Sequence, residues 1–118
     1  MKMRALSAVV LLICVLMLMA GCGKSEAIYT AGVYTAAAEG YAGPVSVEVE
    51  FDEHSILAVR ILSHNETLDI GDRAIDELPA KIVDAQTWDV DAITSATITS
   101  GAIREAVKNC MEQAAIKK

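Results

Sequence analysis

The alternation between Val45 and Phe51 constrains this chain more than any other feature. Val45, Val47, Val49 and Phe51 are interleaved with Ser46, Glu48 and Glu50. A period of two places one apolar and one wet face on an extended strand. Asp52-Glu53-His54-Ser55 then turns the chain. Ile56 to Ser63 returns it with Leu57, Val59 and Ile61 on one face, so the two segments pair as an antiparallel hairpin. A hairpin alone cannot bury its apolar face, and the rest of the chain supplies the cover. Ile28 to Tyr41 reads as a first strand, closed by the turn residues of Gly40-Tyr-Ala-Gly-Pro44. Arg73 to Leu78 reads as helix, and Pro79 suits the first position of a second short helix, Ala80 to Ala85. Trp88 to Ala92 reads as a short strand or an extended loop. From Ser100 the spacing is helical, with Ile103, Val107, Cys110 and Ala114 on one stripe widened by Ala102, Ala106 and Met111. The expected fold is α+β: a small antiparallel sheet, made of an N-terminal strand plus the hairpin, packed with short helices and a C-terminal amphipathic helix.

The start of the chain follows other rules. Lys2 and Arg4 precede an apolar run, Ala5 to Ala20, that stops at small residues and a cysteine. This is the layout of a secretory signal, and it is short for a membrane-spanning helix. Leu18-Met19-Ala20-Gly21-Cys22 resembles the bacterial lipobox, in which cleavage ahead of the cysteine precedes its acylation. The expected organisation is a leader over 1–21, a lipidated tether over 22–27 and one domain over 28–118. Lipid on Cys22 would hold that domain to the membrane, facing outside the cytoplasm. Cleavage removes Lys2 and Arg4 but no acid, which takes the formal charge from −6 to −8. Such a surface argues against nucleic acid. With Cys14 in the leader and Cys22 acylated, Cys110 stands alone and reads as a buried, inert thiol. Neither a Cys/His cluster of metal-ligand spacing nor a nucleophile–base pair is evident, so the sequence reads as a carrier rather than an enzyme with its own substrate.

Asp91 to Ser100, DAITSATITS, is rich in small hydroxyl residues just ahead of the last helix. The plain account is an N-cap, with Thr99 and Ser100 best placed. It leaves unexplained why hydroxyls continue back to Thr94 and Ser95. A helix N-terminus is also an anion site, and a phosphate esterified to Thr97 would lie within reach of its free N–H groups.

Residues 91–100 resemble the flavinylation motif of the FMN-binding domain family, Asp-x-x-Ser/Thr-Gly-Ala-Thr followed by x-Thr/Ser. The likeness extends to Gly32-Val-Tyr34, to Gly40-Tyr-Ala-Gly-Pro44, to the hairpin, to Ser63-His-Asn-Glu-Thr67 and to Ile75-Asp-Glu-Leu-Pro79. It spans about Tyr29 to Ala115. The resemblance implies FMN joined to Thr97 by a phosphoester bond, taken from FAD by a separate magnesium-dependent flavin transferase. Asp91 then marks the segment for the transferase, and Thr94 and Ala96 keep it slim. Thr99 and Ser100 complete the motif, and His64, Glu66 and Thr67 match a segment lining the flavin site. Ser95 departs from the family's glycine, which matters if that residue takes φ > 0. Tyr34, Tyr41 and Trp88 are rings able to stack on the flavin or to pack as core and rim. The implied role is electron relay with redox partners that the sequence does not name. A non-redox lipoprotein on the same fold and a domain holding FMN without a covalent bond are the alternatives.

Overall fold

A computed structural model of the protein describes residues 26–65 and 71–117. The expected leader, Cys22 and most of the tether lie outside the described residues, as do Glu66 and Thr67. The elements run β1 (Gly32–Glu39), β2 (Pro44–Phe51), β3 (Ile56–Ser63), α1 (Asp72–Ala85) and α2 (Thr97–Ala114). The strands form one antiparallel sheet in the order β1-β2-β3, so β2 is central. The expected α+β fold is what the structure has.

Val45, Val47 and Val49 have no solvent exposure, and Phe51 keeps only 2%. Their cover is the stripe of α2: Ala102, Ile103, Ala106, Val107, Cys110 and Ala114, all buried. α2 lies over β1 and β2, and α1 over β3. The opposite sheet face is polar, with Arg60 bridging Glu48 and Glu50 at 3.1 Å each. The hairpin turn is tied by Asp52, whose carboxylate accepts from the N–H of His54 at 2.8 Å and from the N–H and Oγ of Ser55. The His54 bond, then the Ser55 hydroxyl, holds its carboxyl below the usual range.

The return strand differs from its expected alternation. Phe51 pairs with Ile56 and Glu50 with Ala58, while Val47 pairs with Ile61 and Ser46 with Ser63. Two residues are therefore extra to the ladder, Leu57 and Leu62, and bulges turn both outward at 47% and 53% exposure. Ile56 takes the core position that simple alternation gives to Leu57. The first strand is also shorter than expected. Its start at Gly32 has φ 151, and Tyr29 instead forms an isolated bridge to Ala115 while its ring packs 4.7 Å from that of Phe51.

α1 is one helix, not two. Pro79 lies inside it, removing one backbone bond, yet the helix continues to Ala85. The reason is tertiary: Ala74, Leu78 and Ile82 form one fully buried stripe that crosses the proline. The helix ends at Gln86 in the left-handed region, φ 59. The Gln86 side chain donates to Ile56 O at 2.9 Å and accepts from Ile56 N–H at 2.7 Å, joining the helix end to β3.

Cys110 is buried, as its place on the apolar stripe implied, with Sγ 3.6 Å from the Tyr34 carbonyl oxygen. Burial pushes its thiol up to about 11 from 9.0. The neutral thiol is the form the fold favours, so its contribution to stability is complete below pH 9. It is lost as pH rises from there through about 11. Cys110→Ala should flatten that part of the pH dependence in urea melts. The bulge gives a second prediction. Ile56→Ala should cost about 2–4 kcal/mol, whereas Leu57→Ala should stay within about 0.5 kcal/mol. Equal losses would contradict the register.

Candidate functional site

The segment leaving α1 crosses to α2 without forming a strand, so Trp88 to Ala92 is loop, turned at its start by the bond from Val90 N–H to Trp88 O at 2.9 Å. Side chains of α2 pin it there. Arg104 Nη2 pairs with Asp89 at 2.9 Å. The Arg104 guanidinium and the Lys108 ammonium lie 5.5 and 5.1 Å from the centre of the Trp88 ring. Trp88 is thus a half-buried clasp between loop and helix.

Ile93 is buried and begins a tight turn, in which its carbonyl accepts the N–H of Ala96 at 2.9 Å. Ser95, the third residue of that turn, has φ 70. A turn with its third residue left-handed favours glycine, which gives the family's glycine at this position its physical reason. Here serine occupies it under strain. Ser100 closes the loop: its Oγ accepts the buried N–H of Ile93 at 3.0 Å, seven residues back. The hydroxyl that resembles a cap from the sequence therefore ties the turn to the helix.

α2 begins earlier than the stripe suggests, at Thr97 instead of Ser100. Its N-cap is Ala96, and no side chain caps it. The first bond within the helix runs from the Ser100 N–H to the Ala96 carbonyl at 2.9 Å. The N–H groups of Thr97, Ile98 and Thr99 consequently point out of the helix end, where the dipole is positive. A cavity of about 250 Å³ opens there, lined by Tyr41 and by Ser95 through Thr99. Thr97 is exposed at its mouth. Thr99 is 1% exposed and its Oγ1 has no hydrogen-bond partner. Among the described residues only Arg104 Nε shares that condition for a buried side-chain polar atom. An unpaired buried hydroxyl costs about 1–3 kcal/mol, and a phosphate oxygen at this helix end would satisfy it. The donors suit a phosphorylated ligand, and Tyr41 and Ile98, each 56% exposed, offer apolar surface beside them.

The structure thus brings Ser95, Ala96, Thr97, Thr99 and Tyr41 to one cavity and places Ser100 directly beneath it. Thr94 and Asp91 are exposed on the approach to Thr97. Asn65, next to the exposed His64, lies near the Gly40–Gly43 turn, with its Nδ2 3.9 Å from where a Cβ on Gly43 would stand. Tyr34 belongs to the core: its ring meets Phe51 edge-on at 5.6 Å and its hydroxyl donates to Thr30 O. The sequence reading overlooked Ile98, although its place off the buried stripe of α2 was a signal, and it overlooked the clasp of Arg104 and Lys108 on Trp88. Among the described residues no group of acidic, histidine or cysteine side chains is disposed to hold a metal.

A helix N-terminus with free donors, an exposed hydroxyl at its first residue and an orphaned hydroxyl behind it defines a domain for holding a phosphorylated cofactor. The chain belongs to the FMN-binding domain family, which matches residues 40–112. It is 35% identical over 86 residues to the NADH:acrylate oxidoreductase of Vibrio harveyi, covering 73% of this chain and 9% of that protein. It is 38% identical over 82 residues to an uncharacterized protein of Treponema pallidum, covering 70% and 23% respectively. To the urocanate reductase of Eggerthella lenta it is 34% identical over 87 residues, covering 74% and 14%. The chain thus spans less than a quarter of the length of each of these relatives.

Two substitutions test the local geometry. Ser95→Gly should raise stability by about 0.5–1 kcal/mol, because glycine takes φ 70 without strain. Ser100→Ala should lower it by about 1–3 kcal/mol by orphaning the Ile93 N–H. Chemical denaturation reads both, and opposite signs are the expected outcome.

Proposed function

We propose that the protein is a membrane-anchored electron carrier with FMN joined through its phosphate to Thr97 Oγ1. The observation that carries this reading is the coincidence at one helix end of an exposed Thr97 hydroxyl, three outward N–H groups and the buried, unpartnered Thr99 hydroxyl. The N–H groups and Thr99 hold the phosphate oxygens, and Tyr41 and Ile98 flank the cavity. Ser100 acts as a positioning residue through Ile93. Asp91 and Thr94 give a flavin transferase its purchase on the exposed approach, and the family resemblance assigns a flavin-lining role to the segment of His64, Glu66 and Thr67, of which Glu66 and Thr67 lie outside the described residues. In the attachment reaction the Thr97 oxygen forms a bond to the FMN phosphorus of FAD, the bond to the AMP phosphate breaks, and the hydroxyl proton is released. Bound FMN supplies reversible uptake of electrons, and the protein fixes and orients it.

Attachment by ester suits the location expected from the sequence. Outside the cytoplasm a dissociable cofactor is diluted and not replaced. Lipid on Cys22 holds the domain at the membrane, and two or more acyl chains give lasting attachment where one is marginal. Reductases are among the relatives, which supports a redox role for the domain; this chain acts as a carrier for partner proteins and not as an enzyme with its own substrate.

Coexpression with a flavin transferase should give protein heavier by one esterified FMN, with yellow fluorescence that survives a denaturing gel. Thr97→Ala should lose both. Flavin that leaves on denaturation would support non-covalent binding, and colourless wild-type protein would support a non-redox module. Because the phosphate adds charge-assisted bonds at a helix N-terminus, the flavinylated protein should also melt several degrees above its unmodified form.

A further inference from the structure

The chain enters the fold at one end of α2 and presents Thr97 at the other. Thr30 N–H donates to Ala114 O at 2.7 Å, Ile116 N–H donates to Ile28 O at 3.2 Å, and Tyr29 bridges Ala115. Both the Ile28 and Tyr29 N–H groups also bond Glu53 O. The start of the domain is therefore fixed to the last turn of α2, while Thr97 is the first residue of that helix. Eighteen residues of α-helix separate the two by about 27 Å. Six residue steps lie between Cys22 and Ile28, a reach of at most about 20 Å.

Charge does not set this axis, because both ends carry acids. Lys117 is exposed just beyond the C-terminal end of α2, but Glu112 in its last turn and Glu53 beside the entry point are exposed too. At the Thr97 end the exposed Asp91 precedes the helix, and Glu39 and Glu105 share one groove. The orientation follows instead from where the chain enters the fold.

Resting on the anchor and the attachment proposed above, we infer that the domain stands on the membrane with the end where the chain enters toward the headgroups and its flavin end in the aqueous phase. Its redox partner is then a water-soluble electron carrier, or the water-exposed domain of one. A carrier dissolved in the lipid does not meet the flavin.

The test uses the full lipidated and flavinylated chain in phosphatidylethanolamine–phosphatidylglycerol vesicles. Flavin fluorescence is quenched either by aqueous iodide or by lipid spin-labelled near the headgroup. A reference comes from the same protein carrying Glu53→Cys with a fluorophore, since Glu53 borders the point where the chain enters. The expected result is efficient iodide quenching of the flavin, with quenching by spin-labelled lipid several-fold stronger at position 53 than at the flavin. Lipid quenching of the flavin equal to or above that at position 53 overturns the proposal. Protein that fails to float with vesicles removes the anchor, and the orientation with it. Colourless protein that does float removes the attachment instead, so the failures are distinguishable.

Discussion

Everything in the domain depends on the contact between the inner face of β2 and the buried stripe of α2. Val45, Val47, Val49 and Phe51 share one buried core with Ala102, Ile103, Ala106, Val107 and Cys110, and the rings of Tyr29 and Tyr34 add cover over Phe51. That contact fixes the direction of α2, and so fixes where its first residue emerges. The small residues of the stripe, Ala102, Ala106 and Ala114, let the helix approach the sheet closely. Placement of Thr97 is thus a consequence of core packing more than 30 residues away in sequence from the strand that determines it. A site set by a buried face is held more rigidly than one set by a loop alone.

Around that rigid start the protein carries local tension. Ser95 occupies a left-handed position, Thr99 buries a hydroxyl with no partner, and the helix lacks a side-chain cap. Each costs on the order of 1 kcal/mol, against a total net stability of about 5–15 kcal/mol for a domain. All three fall within five residues. Strain concentrated in this way belongs where a ligand meets the chain, and the bonds of Ser100 to Ile93 and of Arg104 to Asp89 hold the segment in place nonetheless.

The strands and helices were largely legible because their signals are local. The period of two in β2 and the stripe of α2 each follow from burial of one face. The departures arise where local and distant demands conflict. Leu57 and Leu62 fit the alternation as well as their neighbours do, and only the pairing with β2 reveals them as bulge residues. Pro79 marks a helix start by its own chemistry, but the Ala74–Leu78–Ile82 stripe carries the helix through it. Within the motif, hydroxyl content alone could not separate an exposed hydroxyl at Thr97 from a buried tie at Ser100, since both lie in the first turn of the same helix. Ile98 and the Trp88 clasp required the three-dimensional placement of loop on helix.

Gln86 has a consequence for how the domain behaves in company. A sheet of three strands has two open sides, and an uncovered one invites a strand from a neighbouring molecule. By supplying a carboxamide to both backbone groups of Ile56, Gln86 mimics one rung of a fourth strand and ends the ladder there. With that rung taken and two bulges twisting the rest of β3, that open side is a poor template for pairing with a strand of another molecule.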